Sequence, residues 1–193
     1  MRWVVEAGPA ALTTEDNFGE TPFVLACAHQ PPETVLDLLE RQPENLYKSN
    51  HYGYHPLFAA CLNDDDGVVQ CLVEKAPHLV HTPGEYDTWM PLMYACCHGA
   101  TTETVRTLLR FHSSALNDVD DDKRNPLHAA CGVHGSHRIV ETLVAAKPSL
   151  LHRADVSRGW TPLHAACYHN NDQDTILTLL RGYTGAALSL IHI

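Results

Sequence analysis

The chain has 193 residues, 45% of them hydrophobic and 19% charged, a composition that folds rather than staying disordered. Thirteen Lys and Arg stand against 23 Asp and Glu, and the net charge of -10 excludes a general electrostatic grip on nucleic acid or anionic lipid. No apolar run reaches the roughly 18 residues of a membrane span, and the first residues are too soon interrupted by charge for a secretory signal.

The elements follow in chain order. Val4-Val5-Glu6-Ala7-Gly8-Pro9-Ala10-Ala11-Leu12 has the pattern of Leu72 to Val80 and is expected to be the tail of a repeat's second helix. The turn Asp16-Asn17-Phe18-Gly19 leads to Thr21-Pro22, which predicts a short helix beginning at Pro22 with Thr21 as its N-cap. Val35, Leu38 and Leu39 then mark one face of a second helix. The unit returns at Pro56, Pro91, Pro126 and Pro162, at intervals of 34, 35, 35 and 36 residues. One residue after each Pro stands Phe23, Leu57, Leu92, Leu127 or Leu163. Four residues after it stands Ala26, Ala60, Ala95, Ala130 or Ala166, and five after it Cys27, Cys61, Cys96, Cys131 or Cys167. The second-helix faces recur as Val69/Leu72/Val73, Val105/Leu108/Leu109, Val140/Leu143/Val144 and Ile176/Leu179/Leu180. One such helix pair cannot cover its own apolar face, so it must stack on its neighbours.

The motifs Gly159-Trp160-Thr161-Pro162-Leu163-His164-Ala165-Ala166 and Pro126-Leu127-His128-Ala129-Ala130 resemble the ankyrin repeat. Asn50-His51-Tyr52-Gly53 resembles that family's turn. The departures are His55, Met90 and Asn125 in place of the Thr before Pro, and Val24, Phe58 and Met93 in place of the motif His. Pro43, Pro77, Ser113 and Pro148 give connectors longer than the consensus. The resemblance implies an all-α solenoid of ankyrin type. Its helix-turn-helix repeats begin near residues 16, 50, 85, 120 and 155, joined by short hairpin turns, over residues 1–187. The final Leu188-Ser189-Leu190-Ile191-His192-Ile193 breaks the repeat pattern. It matches one reading frame of a transposase mosaic-end adaptor, so it is expected to be a non-native tail and the array an interior window of a longer one.

Chemistry finds few candidates. Five of seven cysteines sit in the repeat column, where a free thiol acts as a small hydrophobe, which fits an intracellular chain in the cytoplasm or nucleus. Fourteen histidines lack the spacing of a zinc site, and the resemblance gives His128 and His164 the role of bridging turns. Asp118 to Asp122 opens like a calcium loop but has Lys123 where Gly is needed, so a solvated turn is expected. No catalytic motif, metal or cofactor is expected.

The residues two before each Pro are Glu20, Tyr54, Trp89, Arg124 and Trp160, with Tyr52 and Tyr86 close by. In ankyrin-like arrays this position lies on the hairpin finger and faces the concave groove. Aromatic rings and Arg dominate interface hot spots, so a protein or peptide partner is expected there. The competing expectation is that each ring packs on the next hairpin. The array is otherwise a targeting or regulatory arm of an enzyme or channel domain outside this sequence, or a spacer. Missing end caps predict self-association.

Overall fold

The computed structural model describes residues 9–85, 88–132 and 137–189. A short first helix and a second helix form each pair. They are α1 (Pro22–His29) with α2 (Pro32–Arg41), α3 (Pro56–Ala60) with α4 (Asp66–Lys75), α5 (Pro91–Cys97) with α6 (Thr102–Phe111), α7 (Pro126–Gly132) with α8 (His137–Ala146), and α9 (Pro162–Tyr168) with α10 (Gln173–Ser189). First helices pack on first helices along the series α1, α3, α5, α7, α9, and second helices along α2, α4, α6, α8, α10. There is no strand among the described residues. The expected all-α solenoid is present. Pro9–Leu12 is a 3-10 turn, like Pro77–His81 with which it aligns, whereas Val4 to Gly8 lie outside the described residues. Leu188 and Ser189 continue α10, and the remaining four residues of the expected adaptor tail, 190–193, also lie outside.

Each first helix starts at its Pro because the missing N–H would have no partner there. The residue before the Pro differs, and so does the cap. Thr21 accepts from the Val24 N–H at 3.4 Å. Asn125 Oδ1 accepts from Leu127 and His128, each at 3.0 Å. Met90 contributes no side-chain cap.

The Ala and Cys columns lie in the seam between first helices. All five Ala are buried, as are Cys27, Cys61, Cys96 and Cys131. Burial pushes the Cys61 and Cys131 thiols up to about 12 and raises Cys27 and Cys96 as well. These four are protonated small hydrophobes. Cys167 departs from its column and is exposed. The column points forward, as the contact of Cys61 Sγ with the Pro91 carbonyl at 3.9 Å shows. No described first helix follows α9 to cover Cys167.

The long connectors are ordered. Pro43–Tyr47, Pro77–His81, Ser113–Asn117 and Pro148–His152 are 3-10 turns, each turning an apolar side chain or pair inward: Leu46, Leu79 with Val80, Ala115 with Leu116, Leu150 with Leu151. Polar side chains join the layers elsewhere. Asn63 Nδ2 donates to the Cys27 and Gln30 carbonyls at 3.0 and 2.9 Å, closing the end of α1 from the following repeat.

Four of the fingers are each built by one turn residue. Asp16 Oδ1 accepts from the N–H of Phe18 and Glu20, Asn50 Oδ1 from Tyr52 and Tyr54, and Asp155 Oδ1 from Arg158 and Trp160. Asp120 does the same for Arg124 at 2.8 Å. The expectation of a solvated turn at Asp118 to Asp122 is therefore corrected at its centre. Asp120 is 3% exposed because its carboxylate is the acceptor that folds the finger. Successive fingers are joined by backbone bonds, His51 N–H to Phe18 O at 2.8 Å, Glu85 to Gly53 at 3.3 Å and Val156 to Asp122 at 2.8 Å.

Two stability predictions follow from the connectors and the fingers. Leu79→Ala removes a side chain 3% exposed and should cost about 2–4 kcal/mol in urea unfolding, where an ordinary loop residue would cost about 0.5 or less. Gly53 and Gly159 both have positive φ, 75° and 68°. An added Cβ at Gly53 would lie 2.7 Å from the Glu85 backbone N, while at Gly159 it meets nothing within 4 Å. Gly53→Ala should therefore cost about 1–3 kcal/mol more than Gly159→Ala, and equal costs would show that the fingers give way freely.

Candidate partner-binding site

The residues two before each Pro do not form one uniform row. Trp89, Arg124 and Trp160 converge on a groove of about 500 Å³ between the fingers and the first helices α5, α7 and α9. The groove exists because the first helix is small where it faces out. Positions three and six beyond the Pro are Ala129 and Gly132 in α7, flanked by Cys97 and Tyr168 at the sixth position of its neighbours.

Glu20 and Tyr54 lie elsewhere, beside a pocket of about 120 Å³ that Leu25, Ala59 and Phe58 partly fill. Tyr54 packs against Phe58 at 4.7 Å and edge-on against Tyr94 of the next repeat at 5.0 Å. That is the stacking role weighed for each ring. Glu20 accepts from Asn50 Nδ2 at 3.4 Å. Tyr52 is exposed at the finger tips, where its ring lies 6.4 Å from Phe18. Tyr86 lies outside the described residues.

The groove floor is ionic and fixed. Asp120 Oδ2 pairs with Arg124 Nε at 2.7 Å, and Asp122 reaches the same guanidinium at 3.4 Å. Burial opposes ionisation of Asp155, but the N–H donors of Arg158 and Trp160 and the nearby His128 outweigh it and hold its carboxyl below the usual range. His128 Nδ1 accepts from the Asn125 N–H at 3.2 Å, so Nε2 carries the proton and donates to the Trp160 carbonyl at 2.9 Å. It thus bridges one repeat to the next finger, as expected of the motif His. Burial lowers its pKa despite that bond and so disfavours the charged ring. His164 makes only the local half of this arrangement, its Nδ1 accepting from the Thr161 N–H at 3.2 Å.

Residue spacing alone missed Arg158 and Tyr168. The Arg158 guanidinium lies 4.6 Å from the Trp160 ring centre and 5.7 Å from that of Tyr168, and the two rings are 4.8 Å apart. Tyr168 stands six residues after its Pro, in the column with Cys97 and Gly132, and that column was the available signal. Among the described residues no three His, Cys, Asp or Glu side chains are grouped to hold a metal ion, and no helix is long and apolar enough to cross a membrane.

The family model for ankyrin repeats in three copies matches residues 57–150 and 92–189. The chain belongs to the ankyrin repeat family. Two solved structures show the same fold. The ankyrin repeat domain of Bcl-3, of the IκB protein family, is 26% identical with a TM-score of 0.66, over 90% of this chain and 72% of that one. A chain from the Bd0816 predatory endopeptidase of Bdellovibrio bacteriovorus in complex with the immunity protein Bd3460 is 23% identical with a TM-score of 0.68, over 88% and 84%. Comparison with curated protein sequences gave no match. Ankyrin repeats of this kind generally bind proteins, and this ankyrin array concentrates its open concave surface on its last three pairs of helices.

Beside the smaller pocket, His55 marks a pH dependence of the array. It is 3% exposed, and its Nε2 donates to the Thr82 carbonyl at 3.2 Å. Burial lowers its pKa to about 4. The unfolded chain, with a His pKa of about 6.5, binds the proton first. The contribution is complete above about pH 6.5 and is lost as pH falls toward 4, at about 1.4 kcal/mol per pH unit. His55→Asn copies Asn125, which stands at the same position before its Pro and whose Nδ2 donates to the Leu150 carbonyl of the next connector at 3.0 Å. Urea unfolding across this range should show the acid slope reduced by about that amount. An unchanged slope would remove His55 as its source.

Proposed function

We propose that this ankyrin array is a protein-binding module that takes a protein or peptide on its concave face and has no catalytic role of its own. The observation that carries this is the convergence of Trp89, Arg124 and Trp160 on one groove of about 500 Å³ formed by three successive repeats. Large rings with a guanidinium around a concavity are what interface hot spots use, and the ionic floor fixes their positions. The mixed charge of that floor means the overall -10 does not by itself dictate the partner. A fold neighbour drawn from a complex between an endopeptidase and an immunity protein is in keeping with a protein partner.

Gly132 allows a test that spares the fold. An added Cβ there meets nothing within 4 Å, so Gly132→Leu has open space for its first carbon and places the rest of its side chain at the groove that Gly132 lines. Quantitative affinity capture from cell extract with the wild-type chain defines the bound proteins. Gly132→Leu and Trp89→Ala should each deplete them about thirtyfold or more, corresponding to about 2 kcal/mol, with the melting transition of Gly132→Leu unchanged. Retention of the same proteins by both variants would rule the groove out.

A further inference from the structure

Resting on that reading, we infer that the Trp160–Tyr168 pair is a seat for an arginine side chain of a basic peptide, occupied in the free chain by Arg158. Three observations combine. First, the two rings lie 4.8 Å apart at 52° and both lie under one guanidinium, that of Arg158. A planar cation over the faces of Trp and Tyr is the arrangement their quadrupoles favour. Second, the seat is accessible: Tyr168 is 64% exposed, and Arg158 is held through its backbone N–H on Asp155 while its side chain is exposed. The side chain can leave without dismantling the finger. Third, the charge suits a cation. Asp120, Asp122 and Asp155 outnumber Arg124 and Arg158 around the groove, and Arg124 is already bound to two of these carboxylates. When Arg158 swings out, the carboxylate excess at the seat grows, and the array as a whole carries -10.

An incoming arginine thus replaces like with like at the rings. Its peptide gains contact along the groove, and Arg158 acts as an intramolecular competitor that sets the threshold for binding. A ligand that must displace an occupied state binds more weakly by the fraction of time the seat is free. This gives the inference a distinctive sign: deleting a positive charge at Arg158 should strengthen binding, whereas an acidic ligand using Arg158 as its contact would be lost.

The test is isothermal titration of the full chain at low salt with short capped peptides alternating Arg and Gly, or Glu and Gly. Arg158→Gln should tighten the Arg peptide about two- to fivefold. Arg153→Gln, an equal charge change at another exposed position, should leave it unchanged. Tyr168→Ala should weaken it at least about threefold and, because that ring is mostly exposed, leave the fold intact. Trp160→Ala should do the same, with Tyr168→Ala deciding if it fails to fold. The inference is overturned if Arg158→Gln weakens binding, if Arg153→Gln tightens it equally, if Tyr168→Ala has no effect, or if the Glu peptide binds better. No binding of the Arg peptide to wild type or Arg158→Gln also overturns it. That outcome leaves the concave-face reading standing, since the Gly132→Leu capture experiment judges it with unselected proteins.

Discussion

The close approach of successive first helices, made possible by the Ala and Cys columns, is the constraint on which the rest of the array depends. Alanine and cysteine are the side chains that allow it, and both columns are buried wherever a following helix exists to cover them. Cys167 shows the dependence directly. It has the same residue type, the same register and the same helix position as the other four, yet it is exposed because no described first helix follows α9. Burial of the Cys column is therefore a property of the pair of repeats, whereas the Ala column is buried even at Ala166.

Close helices also bring the fingers into backbone contact, and this makes the turn residues structural. Asp16, Asn50, Asp120 and Asp155 each convert a side-chain acceptor into finger geometry, and the fingers then bond to one another through His51, Glu85 and Val156. The carboxylates that give the groove its charge are thus the same groups that hold its walls. Asp120 cannot be exchanged for a neutral apolar residue without releasing both the Arg124 backbone N–H and the Nε of its guanidinium.

The period, the helix starts, the Thr21 cap and the buried columns were legible because each rests on a residue type with a local reason, such as Pro22 at a helix start or Ala60 in a seam. The connectors were not. Leu79 and Val80 are an isolated pair with no large apolar residue three or four positions away to mark a helix face, and only the 3-10 turn aims both inward. At the candidate site, the finger position carried most of the information but not its consequences. Tyr54 and Trp89 look equivalent in register, and what separates them is a neighbour in the next repeat. Tyr54 meets Tyr94 three residues after Pro91, while beyond Trp89 the corresponding residue is Ala129. An array repeats its backbone, but its surface is decided by pairs of side chains from different copies, and no single copy contains that pairing.

This is why the open surface falls on the last three helix pairs. Toward the start of the array, Phe58, Tyr94 and Leu25 occupy the concave side and the rings there satisfy one another. Toward its end, Ala129 and Gly132 leave the same side hollow, and Trp89 and Trp160 line the hollow together with His128 and Tyr168. Arg158 then settles on the two rings that remain open, Trp160 and Tyr168. Between Tyr54 and Trp89 the difference is therefore set by one local variable, the size of the residue on the next first helix, Tyr94 against Ala129. A small residue there leaves the ring beside a hollow, which is the place the proposed partner would take.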